Sequence, residues 1–258
     1  MNAPQSLPPV RVVAATGSTQ TDLLALATDS RAWPHLSGIR AIEQTAGRGR
    51  GERSWDTDGL TALTASLVLR PTMAPAQWTW LPMLTGLAVV RALAQFGATS
   101  ALKWPNDVVL ASQTPFPGWG TWRKVGGVRS DVLADSAAVV VGIGVNLAGP
   151  PPVPWAAALA EVLADRTPEA AELLDDIRAQ LSLLLQLTPA ARRSAVEHGC
   201  LTIGAQVRVE LPGGEQFAGR ALALNDDGGL VVRGDDGGIR VVMAGDIEHL
   251  RVPDLSAE

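Results

Sequence analysis

The chain has 258 residues, 47% of them hydrophobic and 18% charged, so it can bury a core and is not a disordered tail. This length fits one large domain plus a small one. The net charge of −5 disfavours non-specific binding to nucleic acid or to an anionic membrane. A single cysteine excludes an internal disulfide, and the three widely spaced histidines show no metal-ligand pattern. The sequence has no stretch as long as a membrane span and no signal-peptide pattern, so we expect a soluble cytoplasmic protein without DNA or membrane partners.

Short helix and strand patterns alternate along the first half of the chain. Residues 1–9 are rich in proline and are predicted to form a flexible arm. A helix is predicted over 21–28, with Ser18 and Thr19 at its start, and a long amphipathic helix is predicted over 78–95. The predicted strands are 39–43, 60–69, 101–104 and 107–110, and the predicted loops are 44–55 and 112–120.

The second half continues this alternation and then changes in composition. Strands are predicted over 125–133 and 137–146, and the second is a continuous apolar run of the kind found in strands buried on both faces. The predicted helices are 155–163, 169–187 and 189–198. Beyond residue 200, glycine-rich turns separate four short β-type runs, which is typical of a small β-barrel. These runs are 206–211, 217–223, 230–233 and 239–243, and we predict a domain boundary near residue 200.

The loop 44–55 contains alternating glycines and arginines, GRGRGER. Arg48, Arg50 and Arg53 can each form paired hydrogen bonds to phosphate or carboxylate oxygens, and they keep their charge. Gly47 and Gly49 let the backbone approach a ligand closely. The pattern indicates an anion-binding loop that becomes ordered on its ligand, although a solvated basic loop or a nucleic-acid-binding tail has the same composition. It matches neither a phosphate-binding P-loop nor a complete dinucleotide fingerprint.

Four further motifs carry polar groups or glycines beside predicted elements. In KWPND, the proline turn presents Asn106 and Asp107 at a strand end. Lys124 enters a strand ahead of two glycines, and the run 142–146 places two more glycines in an apolar strand, so both leave room for a ligand. The hydroxyls and amide of residues 18–20 can bond a polar, uncharged group at a helix start. Taken alone, KWPND is more often an ordinary turn, Lys124 a solvent-facing lysine beside a bulge, and residues 18–20 a simple helix cap. The glycines of 142–146 alone can serve tight helix–sheet packing.

The order and spacing of the motifs GSTQ, EQTAGRGRGERSW, KWPND, KVGG and GIGVNL resemble those of the biotin protein ligases. The resemblance covers residues 17–146 by motif and the rest of the chain by layout, and the pairing of GRGRxxRxW with KWPND is its most specific part. It implies an α/β (α+β) fold with a mixed-sheet catalytic domain of the biotin/lipoate ligase type over 10–200. A small SH3-like β-barrel over 201–258 completes the implied architecture.

The resemblance implies a ligase that uses ATP to attach biotin to a lysine of a biotin carboxyl carrier protein domain in a biotin-dependent carboxylase. The implied intermediate is biotinyl-5′-AMP, and Mg²⁺ is implied by the ATP chemistry. Such a site needs cations where a carboxylate meets a triphosphate, and it must exclude water from the adenylate. The implied catalytic residues are Lys124, Arg48 and Asp107. The implied biotin-binding residues are Ser18, Thr19, Gln20, Gln44, Gly47, Arg48, Gly49, Arg50, Lys124 and Gly127. The implied ATP- and adenylate-binding residues are Arg50, Arg53, Asn106, Asp107, Lys124, Asn146 and Trp155.

Three features depart from the usual pattern of the biotin protein ligases. Gln20 stands where they usually have an asparagine after Ser-Thr, so the amide is retained but reaches further. Arg129 stands where they usually have an apolar residue. The stretch 111–123 is longer than their usual turn and adds Trp119 and Trp122. These departures concern the details of the pocket rather than the class of activity.

Three other functions are compatible with parts of the sequence. A lipoate-type ligase shares the implied catalytic fold, but its motif around the lysine differs and it lacks GRGRxxRxW. A non-catalytic biotin sensor would not need Lys124 or the arginine loop, and both are present. A nucleic-acid-binding β-barrel is disfavoured by the acidic pairs at 226–227 and 235–236 and by the scarcity of aromatic residues there. No helix-turn-helix precedes the first motif, so we expect no repressor role, and the sequence leaves open a monomer or a homodimer.

Overall fold

A seven-stranded mixed sheet forms the larger part of the computed structural model, which describes residues 7–50, 53–55, 57, 61–117, 119–133, 137–151, 153–211, 214–243 and 249–251. Its strands are β1 (Val10–Thr16), β2 (Gly38–Gln44), β3 (Thr61–Leu69), β4 (Ser100–Lys103), β5 (Asp107–Phe116), β6 (Gly120–Val132) and β7 (Val139–Ala148). Their order across the sheet is β1-β2-β3-β7-β6-β5-β4. β1 and β2 are parallel, and the other neighbouring strands are antiparallel. The central strand β7 is buried on both faces, as its unbroken apolar run predicts.

Five α-helices lie within the described residues and accompany this sheet. They are α1 (Thr19–Leu26), α2 (Leu81–Gln95), α3 (Ala160–Leu163), α4 (Ala170–Leu185) and α5 (Pro189–Gly199). α2 and α4 pack against each other, and α4 buries Leu173, Ile177, Leu181 and Leu184 at helical spacing. α1 begins after Ser18, whose hydroxyl accepts a hydrogen bond from the backbone N–H of Thr21 at 3.5 Å. This cap fixes the first turn of α1 at the edge of the cavity described below.

A second, antiparallel sheet follows α5. Its strands are β8 (Gln206–Glu210), β9 (Gln216–Leu224), β10 (Leu230–Gly234), β11 (Ile239–Val242) and β12 (His249–Arg251), in the order β11-β10-β9-β8-β12. Side chains alternate between core and solvent along β8, where Val207 and Val209 are buried and Arg208 is exposed. The predicted fold class, a mixed-sheet α/β domain followed by a small β-domain, is confirmed.

The two sheets share one hydrophobic core. Valines and leucines of β8, β9 and β10 belong to the same buried cluster as those of α2 and α4. Two buried tryptophans add hydrogen bonds across this junction: the Trp80 indole donates to the carbonyl of Asp226 at 2.8 Å, and the Trp104 indole donates to the carbonyl of Gly228 at 3.1 Å. Gly228 has a φ of +76°, so the turn that accepts the second bond favours glycine. The proposed division into 10–200 and 201–258 stays a prediction.

Several local predictions differ from the observed elements. β1 was not predicted, because its residues alternate irregularly between exposed and half-buried positions at the edge of the sheet. The predicted loop 112–120 contains the ends of β5 and β6, which pair as far as Phe116 and Gly120. The helix predicted over 155–163 is wrong for its first half: the backbone near Trp155 pairs with Lys124 in an isolated parallel bridge, and only Ala160–Leu163 is α-helical. Most of the predicted arm 1–9 lies outside the described residues. Gly51, in the glycine–arginine run GRGRGER, also lies outside them.

Replacing Trp104 with phenylalanine should lower the free energy of unfolding by about 2 kcal/mol. The substitution removes the indole donor and leaves the carbonyl of Gly228 unpaired beside the core, which typically costs about 1–3 kcal/mol. Urea unfolding followed by circular dichroism measures the change. Trp155→Phe is the matched control, because Trp155 is 40% exposed and should change stability by less than about 0.5 kcal/mol. Equal losses in both variants would contradict the assignment.

Candidate functional site

One cavity brings together the start of α1, the loop 44–55, β3 and the adjoining strands β5, β6 and β7. Its volume is about 90 Å³. Pockets that enclose small molecules usually measure about 300–1,000 Å³. A ligand of that size must therefore displace part of the lining.

Hydroxyl and amide groups form the neutral end of the cavity. The backbone N–H and the hydroxyl of Thr19 both donate to Oε1 of Gln44, at 2.9 and 3.2 Å. The Thr19 hydroxyl also lies 2.9 Å from the hydroxyl of Ser66, which donates to Oε1 of Gln20 at 3.0 Å. Thr19, Gln20 and Ser66 are buried. Because hydroxyls can exchange donor and acceptor roles, this end suits a neutral polar ligand group.

The opposite end is built on the pairing of β5 with β6. Asp107 pairs with Gly127, and a bulge one residue further along shifts the register so that Val109 pairs with Lys124. The Lys124 ammonium lies 2.6 Å from Oδ1 of Asp107, and the Lys103 ammonium lies 3.5 Å from Oδ2. Burial acts to raise the pKa of Asp107, but the charges and hydrogen bonds of the two lysines outweigh it and lower the pKa to about 2. Asp107 is therefore a carboxylate at neutral pH and a weak proton acceptor.

The arginine loop is residues 44–55, of which 44–50 and 53–55 are described; Arg48 pairs antiparallel with Ser54, and both line the cavity. The backbone N–H of Gly49 donates to the carbonyl of Arg53 at 2.7 Å, and that of Trp55 donates to the carbonyl of Gly47 at 2.9 Å. A Cβ on Gly47 would lie 2.4 Å from both the Gln44 amide and the Trp55 carbonyl, so this position accepts only glycine without rearrangement. Residues 47–49 and 53–55 of the loop are thus held antiparallel, with Gly47 packed against Gln44.

Positive charge dominates the cavity lining. The described lining residues include five cationic side chains and one carboxylate, Asp107, although the whole chain has a net charge of −5. The cations are Arg48, Arg50, Arg53, Lys124 and Arg129. Burial, and then the nearby charge of Arg53, lower the pKa of Arg50 against the opposite effect of Asp107. A phosphate or carboxylate ligand would balance this crowding of like charges.

The indole of Trp55 lies inside the cavity against two glycines. A Cβ on Gly144 would lie 2.5 Å from the ring, and one on Gly127 would lie 3.7 Å from it. The centre of the ring is 5.8 Å from the Lys124 ammonium. Its Nε1 is buried and has no hydrogen-bond partner among the described residues. A buried N–H left unpaired is unfavourable, so the ring is placed to donate to a ligand or to move when one enters.

A second ion pair connects the arginine loop to β6. Arg129 forms a forked pair with Asp131 and donates a further hydrogen bond to the backbone carbonyl of Gly49. Asp131 also accepts a hydrogen bond from the side-chain amide of Gln20 at 2.9 Å. Burial acts to raise the pKa of Asp131, but these hydrogen bonds and the positive charges of Arg129 and Arg48 lower it below its usual value.

Most of the predicted site residues lie in the lining of this one cavity: Ser18, Thr19, Gln20, Gln44, Arg48, Gly49, Arg50, Arg53, Asn106, Asp107, Lys124 and Gly127. The structure brings them together, and their individual roles stay predictions. The lining also contains residues to which the sequence patterns gave no role, notably Trp55, Thr64, Ser66 and Arg129. Trp55 closes the GRGRxxRxW motif, so its position was signalled, whereas Ser66 lies unmarked within the apolar run of β3.

Three predicted residues lie outside that lining. Gly47 sits at the base of the arginine loop, against Gln44. Asn146 is buried, and its amide donates to the carbonyl of Ala157 at 3.0 Å, so it holds the segment after β7 in place. Trp155 is 40% exposed, and its backbone carbonyl accepts a hydrogen bond from the N–H of Lys124 at 2.9 Å. Asn146 and Trp155 thus border the strand that carries Lys124.

The part of the chain that the structure describes brings no three His, Cys, Asp or Glu side chains together as metal ligands. Asp107 and Asp131 are each occupied by ion pairs. Among the described helices, none combines the length and apolarity needed to cross a membrane.

Several known proteins resemble this chain in sequence and structure. Residues 12–146 match the biotin/lipoate A/B protein ligase family, and residues 202–250 match the biotin protein ligase C terminal domain. The chain is 37% identical to the biotin–acetyl-CoA-carboxylase ligase of Mycobacterium tuberculosis, over 93% of this chain and 88% of that protein. It is 27% identical to the bifunctional ligase/repressor BirA of Bacillus subtilis, over 90% of this chain and 71% of that protein. The biotin protein ligase from Aquifex aeolicus in complex with biotin and ATP has a TM-score of 0.71 at 25% identity, over 95% of this chain and 99% of that one.

The Asp107 ion pairs should stabilise the fold except in strong acid. Because the carboxyl pKa is about 2 when folded and 3.8 ordinarily, this contribution is complete above about pH 4 and is lost as the pH falls towards 2. The two pKa values correspond to about 2 kcal/mol of unfolding free energy. Urea unfolding at a series of pH values should show a shallower acid slope for Asp107→Asn than for the unchanged protein. Asp227→Asn, on an exposed turn, is the control, and identical slopes for all three proteins would refute the assignment.

Proposed function

The chain belongs to the biotin/lipoate A/B protein ligase family, and we propose that it attaches biotin, through biotinyl-5′-AMP, to a lysine of a biotin carboxyl carrier protein domain. Within that family it is a biotin ligase that uses ATP. The observation that best supports this reaction is a single cavity with a neutral hydroxyl and amide end and a cationic end. Biotin has the same two ends, a neutral ureido ring and a carboxylate.

The neutral end would bind the ureido ring of biotin. The hydroxyls of Ser18 and Thr19 and the amide of Gln44 can donate to its carbonyl or accept from its N–H groups. Gln20 already donates both amide hydrogens, to Asp131 and to the carbonyl of Val140, so it supports the pocket rather than contacting the ring. Removal of the indole of Trp55 from above Gly127 and Gly144 would open space for the body of the ligand. Arg48, Gly49 and Arg50 would then cover it.

In the first step, an oxygen of the biotin carboxylate attacks the α-phosphorus of ATP, the bond from that phosphorus to the pyrophosphate oxygen breaks, and pyrophosphate leaves. The two reactants are both anions, so their approach is unfavourable without positive charge. Lys124 would exchange its contact with Asp107 for the carboxylate and α-phosphate oxygens, and Arg50 and Arg53 would bind the remaining phosphates. Asn106 borders the same end of the cavity and would contact the adenylate.

In the second step, the carrier lysine's amine attacks the carbonyl carbon of biotinyl-5′-AMP, the bond from that carbon to the phosphate oxygen breaks, and AMP leaves. The amine must give up its proton, and Asp107 is a poor acceptor at neutral pH because its pKa is about 2. Asp107 would instead attract and orient the incoming ammonium by its charge, and the proton would pass to solvent. The exposed ring of Trp155 would stack on adenine, and Asn146 would hold the adjoining segment.

The proposal also covers the metal ion, the cellular location, the oligomeric state and the acceptor. Mg²⁺ would enter as the counterion of the ATP phosphates, since the described carboxylates do not fit a protein-ligated site. A cytoplasmic location, the absence of a DNA partner and the choice between monomer and homodimer stay predictions. The acceptor is proposed to be a carrier domain of a biotin-dependent carboxylase.

Substituting Lys124 tests the adenylation step. Lys124→Ala should reduce biotin-dependent pyrophosphate release at least about 100-fold, the usual effect of removing one preorganised charge from a transition state. Release is measured with biotin, ATP and magnesium, and in parallel with lipoate in place of biotin. Arg208→Met, on the exposed face of the C-terminal sheet, is the control and should match the unchanged protein.

The parallel reactions separate the proposal from its rivals. Release with lipoate but not with biotin would assign the chain to the lipoate ligases. No pyrophosphate release with either substrate, while calorimetry still detects biotin binding, would indicate a biotin sensor without catalytic activity. Full activity of Lys124→Ala would exclude the role given to this lysine.

Arg48 is expected to retain the intermediate rather than to form it. Arg48→Ala should shorten the lifetime of enzyme-bound biotinyl-5′-AMP about tenfold, because the loop loses one charge-assisted contact when it closes over the ligand. Gel filtration of the preformed complex at timed intervals measures the bound fraction. An unchanged lifetime with slowed formation would instead place Arg48 in the adenylation step.

A further inference from the structure

Arg129 lies on β6, opposite Gly142 of β7, at the point where the arginine loop crosses the sheet. Its guanidinium forks onto Asp131, with Nε 2.7 Å from Oδ2 and Nη2 2.9 Å from Oδ1. The third group, Nη1, donates to the backbone carbonyl of Gly49 at 2.5 Å. Arg129 therefore bridges a fixed carboxylate on the sheet and the backbone of the loop.

The same carboxylate is held from its other side by Gln20. The Gln20 amide donates to Oδ2 of Asp131 at 2.9 Å and to the carbonyl of Val140 at 3.0 Å. Its Oε1 accepts a hydrogen bond from Ser66 at 3.0 Å, so the whole amide is engaged. A Cβ on Gly142 would lie 2.8 Å from that oxygen, which shows how closely the side chain lies over β7. The extra methylene of glutamine relative to asparagine provides the reach to Asp131.

Two of the three departures from the usual ligase pattern, Gln20 and Arg129, thus meet at Asp131. We propose that Gln20, Asp131 and Arg129 form a latch that holds the arginine loop over the cavity, with Arg129 as a positioning residue. The latch acts on the backbone of Gly49, so its contacts do not involve the side chains of Arg48 and Arg50, which line the cavity. A forked, charge-assisted pair fixes the guanidinium more firmly than one neutral hydrogen bond would.

The latch reduces the cost of closing the loop. A glycine-rich segment loses much conformational freedom when it orders, and a contact that restricts it beforehand leaves less to be lost on binding. The side chains of Arg129 and Asp131 are 21% and 28% exposed, so solvent weakens their attraction only partly. The consequence for catalysis, longer retention of the adenylate, depends on the proposed function, whereas the restriction of the loop does not.

Limited trypsin digestion of the ligand-free protein tests the latch without relying on activity. Trypsin cleaves after arginine, so Arg48, Arg50 and Arg53 report whether the loop is open. Arg129→Met should increase the rate of cleavage at these three sites about tenfold, the order expected for losing a charge-assisted contact. Arg129→Lys keeps one donor and should restore part of the protection. Arg208→Met is the matched control, because Arg208 is exposed on the C-terminal sheet. Its arginine loop should be cleaved at the same rate as in the unchanged protein.

The role of Asp131 gives a second test that does not depend on one variant folding. Asp131→Asn should also speed loop cleavage, and the double variant with Arg129→Met should be cleaved no faster than Arg129→Met alone, because both changes break the same connection. Thermal unfolding confirms that each variant is folded at the temperature of digestion. Equal cleavage in the unchanged protein and in the folded variants, or additive effects in the double variant, would overturn the latch.

Retention of the intermediate separates the two proposals. Biotinyl-5′-AMP bound to Arg129→Met should be lost about tenfold faster than from the unchanged protein, as followed by gel filtration. If the unchanged protein forms no biotinyl-5′-AMP, the proposed function fails and the digestion result alone decides the latch. If the adenylate forms and both proteins retain it equally, the latch has no part in closure and the inference is wrong.

Discussion

The attraction between Lys124 and Asp107 depends on how two strands are paired, and the rest of the site is arranged around it. The bulge in β5 and β6 changes the register between Gly127 and Lys124, which brings the ammonium to within 2.6 Å of the carboxylate. The backbone of Lys124 is hydrogen-bonded to the segment around Trp155 on the side away from β5. Both its side chain and its backbone are therefore held in place. A charged pair in this position is stable without ligand and can exchange partners when a second anion arrives.

One cavity has both a neutral and a cationic end because the start of α1 and the arginine loop both line it. α1 supplies a hydroxyl and an amide that form hydrogen bonds with Gln44 of β2 and Ser66 of β3, and the loop supplies guanidiniums to the cavity lining. The glycines of β6 and β7 provide the space between the two groups. The ring of Trp55 fills part of that space, which contributes to the small volume of the cavity.

Local sequence patterns correctly predicted the elements whose local preference matches their place in the fold. The apolar run of β7, the helical spacing of α4 and the glycine turns of the C-terminal sheet were predicted in this way. β1 was missed because parallel pairing at an edge leaves no regular alternation in its sequence. Trp155 was placed in a helix because its neighbours are apolar and alanine-rich, whereas long-range pairing with Lys124 decides its conformation.

The residues of the site likewise separate into those signalled by local sequence and those placed by long-range contacts. The motifs identified the arginine loop, Asp107 and Lys124, because each combines a turn with a charged group. Ser66 was invisible because its partners, Thr19 and Gln20, lie more than forty residues away along the chain. Arg129 was noticed only as a departure, since its contact with Gly49 is made to the backbone, which carries no sequence signal.

Lys103 and Lys124 are the only lysines in the chain, and the other 21 − 2 = 19 basic residues are arginines. An acyl phosphate is consumed by any unprotonated amine that it meets, but a guanidinium stays protonated at neutral pH and does not compete. Both ε-amines are engaged with the same carboxylate, so the outer surface offers an escaping activated acyl group no lysine of its own to modify. The scarcity of lysines on this chain thus leaves few amines of its own to compete with the acceptor's lysine for the activated acyl group.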